Sequence, residues 1–131
     1  MQITLETDYA VRCLVYLKGH KEELAILGDI SAGTHIPPAF LAKILQKLIK
    51  RGMVSSQKGK KGGFKLAKAP ERISVYDIML ATCAGCTVLK MVCSKSAKPC
   101  EFVKSCKIYG VWCDLGKIVR VVLEARKLSQ L

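Results

Sequence analysis

The chain has 131 residues, a formal net charge of +12 and a hydrophobic fraction of 50%. This length suits one domain, or one domain with an appendage, and the apolar content is sufficient for a packed core, which excludes an intrinsically disordered chain. A pI near 9.6 suggests a polyanionic partner, either nucleic acid or an anionic membrane surface.

Helical periodicity marks the beginning of the chain. Residues 5–19 place their apolar side chains on one stripe, and Gly19 is a plausible stop. A short helix is predicted at about 27–33, closed by Gly33. We expect both helices to pack their apolar sides into one core.

The strongest helical pattern runs from Pro38 to Arg51. Proline is tolerated in a first turn because that position needs no N–H donor, and Gly52 suits the left-handed residue that follows a helix. Two short helices joined by a tight turn, the second of them basic, are typical of a helix-turn-helix. The predicted buried stripe is Leu41, Ile44, Leu45 and Leu48, and the lysines on another face are Lys43, Lys47 and Lys50.

Two short strands, 53–56 and 64–66, follow this helix. The loop between them carries lysines and glycines, and glycine permits positive φ in a tight hairpin. A helix-turn-helix followed by a basic hairpin predicts a winged helix, in a fold that is mainly α with a small β-hairpin wing.

A capped helix and a long terminal helix complete the prediction. Ser74 is the expected N-cap, with Asp77 at the capping-box position, of a helix that runs to about Thr82. Residues 83–106 have weak periodicity and are predicted as a loop. A helix at about 107–128 presents one apolar face, which needs a second copy of the chain to cover it. The face comprises Ile108, Val111, Trp112, Leu115, Ile118, Val119, Val122 and Leu123.

These patterns divide the chain into three parts. Residues 1–82 form the predicted winged helix-turn-helix domain, 83–106 a cysteine-rich loop, and 107–131 a dimerisation helix. No apolar run approaches the roughly 20 residues that span a bilayer. The N-terminus has neither the basic segment nor the cleavage site of a signal peptide, so we expect a cytoplasmic protein.

Charge placement favours double-stranded DNA as the partner. Residues 43–72 contain ten Lys or Arg and one acidic residue, Glu71. Alone, a run of lysines is equally compatible with a solvated surface and with DNA binding. These charges, however, fall on the second helix and the wing, which are the elements expected to meet a duplex. Membrane binding is less well supported, because the lysines flank glycines in a hairpin and do not line an amphipathic helix. The predicted DNA-binding residues are Pro38, Ala39, Phe40, Lys43, Lys47, Ser56, Lys58, Lys60, Lys61, Gly62 and Gly63.

Six of the seven cysteines lie within residues 83–113. In a reducing compartment, clustered thiols indicate metal or redox chemistry more often than disulfides. The spacing Cys93-x6-Cys100-x5-Cys106 suits an iron–sulfur cluster, while tetrahedral zinc with three cysteines and another ligand stays open from spacing alone. A small zinc enzyme is the least favoured alternative, because the histidine and glutamate patterns of such enzymes are missing.

The sequence resembles the Rrf-type family of bacterial winged-helix regulators, which includes IscR, NsrR and RirA. The resemblance covers essentially the whole chain. It implies a homodimer crossed over by the terminal helices, an iron–sulfur cluster on Cys93, Cys100 and Cys106, and control of affinity for a palindromic operator. The matching segments are Asp8-Tyr9-Ala10, Ile36-Pro37-Pro38-Ala39-Phe40-Leu41, Gly52-Met53-Val54-Ser55-Ser56, Gly59 with Gly62-Gly63-Phe64-Lys65-Leu66, Pro70 to Ile78, the three cysteines, and the terminal helix ending near Leu128.

The resemblance also bears on the fourth ligand. IscR-like members have a histidine three residues after the last cysteine, where this chain has Tyr109. NsrR-like members use an aspartate from the first helix of the other subunit, and Asp8 stands at that position. A [4Fe–4S] cluster that includes Asp8 is therefore the preferred hypothesis, with [2Fe–2S] as the alternative, and a solvated first-turn carboxylate is the other interpretation of Asp8. Three further cysteines lie outside the triplet and are candidates for the fourth ligand or for a disulfide bond: Cys83, Cys86 and Cys113.

A cluster-free regulator is the second functional hypothesis. Such a protein keeps the DNA-binding fold but responds through thiol oxidation or a protein partner. No small-molecule substrate is expected under either hypothesis. The regulator is expected to act as a repressor, on a signal such as iron, cluster supply, nitric oxide or redox state.

Overall fold

A computed structural model describes residues 4–21, 23–83, 100–102 and 104–131 of the chain. The described part is mainly α-helical with one antiparallel hairpin, which confirms the predicted fold class. Cys86, Cys93 and most of the predicted cysteine-rich loop lie outside the described residues. The elements are α1 (Leu5–Gly19), α2 (Leu27–Thr34), α3 (Pro38–Lys50), β1 (Val54–Gln57), β2 (Gly63–Leu66), α4 (Val75–Thr82) and α5 (Lys107–Ala125).

One apolar core lies among α1, α2, α3 and α4. The stripe predicted on α3 is buried as expected, because its members recur at helical spacing on the side that faces α1 and α2. The predicted capping box is also present: the Asp77 amide donates to the Ser74 hydroxyl, and the Ser74 amide donates to the Asp77 carboxylate. The largest fully buried side chains are Leu14, Leu17, Ile30, Ile36, Leu41, Ile44, Leu45, Leu48, Val54, Ile73, Ile78 and Leu128.

The end of α2 differs from the prediction. Gly33 does not stop the helix, which continues to Thr34 and ends at His35, a left-handed residue with φ 56°. A Cβ at position 33 would lie 2.4 Å from the ring of Tyr16. A side chain at position 33 would therefore force the Tyr16 ring to shift, so glycine serves the close packing of α1 and α2 and not the backbone conformation of a helix end.

The hairpin is held against the helices by a third segment. β1 and β2 pair antiparallel, from Val54 with Leu66 to Gln57 with Gly63. Phe64 of β2 also exchanges two backbone hydrogen bonds with Ala25, of 2.8 and 3.0 Å. The wing base is thus fixed on both sides, while the loop between β1 and β2 projects from it.

The terminal helix ends earlier than predicted. α5 stops at Ala125 and Arg126 is extended, so the chain turns back onto the first domain. There Leu128 is fully buried, and its amide donates to the carbonyl of Ile73 at 2.8 Å. Burial of one more large apolar side chain in the core favours this return over continued helix.

The apolar face of α5 divides into two parts. Val119 and Leu123 are half-buried, whereas the other predicted members of the face are exposed. No residue of α5 is buried. The large exposed apolar residues of this helix are Ile108, Val111, Trp112, Leu115, Ile118, Val121 and Val122, each between 39% and 64% exposed.

Candidate nucleic-acid interface and cysteine site

The first turns of α3 present the residues predicted to enter a major groove. Pro37 and Pro38 begin the helix without any need for N–H partners. Ala39, Phe40 and Lys43 all point to solvent, and Phe40 is 59% exposed although it is aromatic. An exposed aromatic ring beside a lysine can contact a thymine methyl group and a neighbouring guanine or phosphate.

Lys47 is on the same helix but has a different environment. Its ammonium group donates to the Glu6 carboxylate of α1 at 2.5 Å and to the carbonyl of Thr82 at 3.3 Å. Only about a third of its side chain is exposed. The structure therefore separates Lys47 from Lys43, which the sequence places together on one basic face.

The wing loop presents three exposed lysines. Lys58, Lys60 and Lys61 project around a turn in which Gly59 has φ 114°, a conformation that other residues rarely adopt. A Cβ at Gly62 would lie 2.3 Å from the carbonyl oxygen of Gln57. The glycines thus allow the tight turn on which the three exposed lysines lie.

Further positions of the predicted interface lie at the wing base. Ser56 is exposed on β1. Gly63 lies against the backbone of Ala25. A Cβ at Gly63 would lie 2.8 Å from the carbonyl oxygen of Ala25. Gly63 therefore has a packing role that accounts for its presence without any ligand.

Two of the three triplet cysteines lie in the described part of the chain. Cys100 and Cys106 are free thiols of intermediate burial, and Cys106 occupies the N-cap position of α5 without a side-chain capping hydrogen bond. Lys104 and Lys107 flank Cys106, which provides a positive environment for thiolates. Among the described residues, no group of three or more His, Cys, Asp or Glu side chains is gathered as for a metal ion.

The remaining described cysteines have distinct environments. Cys113 is a free, half-buried thiol on α5, and Cys83 is disulfide-bonded. Cys13 is fully buried in α1, and burial raises the pKa of its thiol to about 12. Cys13 is therefore a core residue and a poor nucleophile.

Asp8 lies on α1 with its carboxylate accessible. It forms an ion pair of 2.8 Å with Arg12, one turn further along, and 45% of its side chain is exposed. Exposed pairs of this kind are weak, typically about 0.3–0.5 kcal/mol. The Asp8 carboxylate can therefore exchange Arg12 for another cationic partner at a small cost in free energy.

Three relationships in this region could not be found from the sequence. Glu6 and Thr82 bind Lys47, and Ala25 completes the sheet beside Phe64. Each relationship joins residues that are far apart in the chain. Hydrophobic periodicity and motif spacing give no signal for such contacts.

The fold and the exposed basic elements define a winged-helix protein of the DNA-binding type. A family model described as "Rrf2: Iron-dependent Transcriptional regulator" matches residues 3–131. The chain therefore belongs to the Rrf2 family, as the sequence resemblance predicts. This family consists of transcriptional regulators, not enzymes.

Individual relatives support the same assignment. The chain is 30% identical over 132 residues to a transcriptional regulator named NsrR from Halalkalibacterium halodurans. The matched region covers 100% of this chain and 90% of the relative. A relative from Aquifex aeolicus is 44% identical over 71 residues, or 54% of this chain, and the chain spans only about half of that relative's length, 49%.

A solved structure shares the fold. CymR of Bacillus subtilis, titled a global cysteine regulator, superposes with a TM-score of 0.77 at 20% identity, over 98% of this chain and 94% of CymR. Within the described residues, no helix has the length and apolarity needed to cross a membrane.

Proposed function

We propose that this protein is a DNA-binding transcriptional repressor that acts as a homodimer on a palindromic operator and is controlled by an iron–sulfur cluster. The observation that carries the DNA-binding part is the shared exposure of the start of α3 and the wing loop. Lys43 and the three wing lysines supply phosphate contacts, and Phe40 and Ala39 supply apolar contacts to bases. Pro38, Ser56, Gly62 and Gly63 shape the two elements, and Lys47 contributes only if it leaves Glu6.

The second copy of the chain is proposed to bind along α5. Ile108, Val111, Leu115, Ile118 and Val122 alternate at spacings of three and four residues, the pattern of a coiled-coil seam. All five are exposed in the single chain. A two-fold dimer would bury this seam and present two α3 helices to the two halves of a palindrome.

The proposed ligands of the cluster are Cys93, Cys100, Cys106 and Asp8. The described members fit this role, because Cys100 and Cys106 are free, partly exposed thiols beside lysines, and the Asp8 carboxylate is accessible. A bound cluster would supply a group that reacts with oxygen or nitric oxide and that is lost when iron is depleted. We favour [4Fe–4S] because Asp8 provides a fourth donor, and [2Fe–2S] is the alternative.

Anaerobic purification tests the cluster proposal. We expect a coloured wild-type protein with bound iron, and loss of colour and iron in Cys100→Ala and Cys106→Ala. Cys113→Ala is the matched control, since Cys113 is also a free, half-buried thiol next to the same segment but outside the triplet. Asp8→Ala should keep the thiolate ligands and change the visible spectrum. Iron retained in Cys100→Ala would refute this ligand set.

A cluster-free regulator that responds to thiol oxidation is the second candidate. One observation favours it: Cys83 is disulfide-bonded. A colourless, iron-free wild-type protein whose operator affinity changes between reducing and oxidising conditions would support this function over the first.

A further inference from the structure

Lys47 lies at a meeting point of three helices. It belongs to α3, but it donates to Glu6 of α1 and to the carbonyl of Thr82, the last residue of α4. Thr82 is tied to α1 by a buried hydrogen bond of 2.9 Å to the hydroxyl of Thr7. We call these four residues, Glu6, Thr7, Lys47 and Thr82, the Lys47 junction.

The hydroxyl and the carbonyl of Thr82 have separate partners. The hydroxyl lies 2.9 Å from the hydroxyl of Thr7 and within 3.3 Å of the carbonyl oxygens of Ile78 and Met79 in its own helix. The carbonyl of Thr82 accepts from Lys47. Each polar group at the junction has a specific partner, so a shift of α1 or α4 must change the contacts of Lys47.

The junction adjoins the proposed ligand Asp8. Thr7 immediately precedes Asp8 on α1, and its hydroxyl is hydrogen-bonded to that of Thr82, the residue before the cysteine-rich part of the sequence. A change at Asp8 therefore acts on the residue next to Thr7. Through Lys47, which binds Glu6 and Thr82, this part of α1 is connected to the helix that is proposed to enter the major groove.

Lys43, a proposed DNA contact on the same helix, provides the comparison for Lys47. It lies one turn earlier on α3, is exposed, and takes part in none of the ion pairs found among the described residues. Lys47 is about a third exposed and is bound to Glu6 within the protein. Two lysines of one helix thus differ in the property that decides whether a phosphate can reach them.

We propose that Lys47 is a positioning residue that transmits the state of the cysteine site to α3, and that it is not a phosphate contact. This inference rests on the proposed function. The junction fixes α3 relative to α1 and α4 in one cluster state, and its contacts change in the other. Coupling between two sites requires such an element with two arrangements.

The test compares operator affinity with and without the cluster in wild-type protein, Lys47→Met, Glu6→Ala and Lys43→Met. The readouts are the ratio of the two Kd values and the salt dependence of each. Allosteric ratios are typically about 5–150-fold, and we expect Lys47→Met and Glu6→Ala to reduce the wild-type ratio to under about threefold with an unchanged salt slope. Lys43→Met should weaken binding in both states and reduce the salt slope while keeping the ratio. Lys47→Arg should restore the ratio.

The outcomes separate this inference from the function on which it rests. A wild-type ratio of one overturns the proposed cluster control, and this inference with it. A wild-type ratio above one that survives in Lys47→Met and Glu6→Ala overturns the inference alone. A smaller salt slope in Lys47→Met assigns Lys47 to the phosphates and also overturns it. Glu6→Ala changes no residue of α3, so it gives an answer even if Lys47→Met fails to fold.

Discussion

Leu128 and Ile73 are joined by a backbone hydrogen bond of 2.8 Å from the amide of the first to the carbonyl of the second. The amide of Val75 in turn donates to the carbonyl of Arg126 at 2.9 Å. Both ends of this short ladder are close to the start of α4, so the segment after α5 is anchored to the winged-helix domain. The C-terminal end of α5 is therefore fixed beside the start of α4.

Truncation of Leu128 should destabilise the DNA-binding domain itself. The side chain is fully buried, and removing a buried leucine side chain costs about 2–5 kcal/mol. We expect Leu128→Ala to lower the free energy of unfolding by that amount in a urea titration. Leu131→Ala is the control, since Leu131 is 48% exposed and such surface changes stay within about 0.5 kcal/mol. Equal effects of the two variants would contradict the anchoring role.

Removal of the wing lysines should weaken operator binding and its salt dependence together. Lys60→Ala and Lys61→Ala each remove one exposed cation from the loop. The slope of log K against log salt is negative, and each lost phosphate contact reduces its magnitude by about 0.9. Titrations at several salt concentrations measure this slope. Lys117→Ala, which removes an exposed lysine of α5, should leave it unchanged, and a wild-type slope in the double wing variant would refute the assignment of the wing.

A charge within the α5 seam should separate the proposed dimer. Ile118 is 61% exposed in the single chain, so Ile118→Asp costs little in the monomer but places a carboxylate in an apolar interface. We expect sedimentation at half the wild-type mass, with the helical circular dichroism of the domain retained. Lys117→Ser changes the neighbouring residue outside the seam and should remain dimeric. A dimeric Ile118→Asp protein would mean that the chains associate elsewhere.

Cys13 should give the protein an alkaline limit of stability. Burial raises its thiol pKa from 9.0 to about 12, so the unfolded chain releases this proton at a lower pH than the folded protein does. The stabilisation is complete below pH 9 and is lost as the pH rises towards 12. Urea titrations between these values should show a steeper fall for wild-type protein than for Cys13→Ala. Cys113→Ala should retain the wild-type dependence, and parallel curves for wild type and Cys13→Ala would contradict the burial effect.

Local patterns were enough to predict most of the described fold. The apolar stripe of α3, the capping box of Ser74 and the left-handed Gly52 depend on residues within a few positions of one another. The sequence predicts them because their energetics are local. The predicted stop at Gly33 was wrong because the role of this glycine is not local. Gly33 leaves room for the ring of Tyr16 on another helix, whereas the local pattern offered only a helix end as the explanation.

By itself, the sequence determined the order of helix, turn, helix and wing, the lysines on the wing loop, and the spacing of Cys93, Cys100 and Cys106. The tertiary structure alone decided that Lys47 binds Glu6 and that Leu128 returns to the core. Both contacts join distant parts of the chain, and their stability comes from burial and charge pairing that exist only after the helices have packed. Spacing along the chain encodes which elements form, and packing determines which of their side chains remain available to a partner.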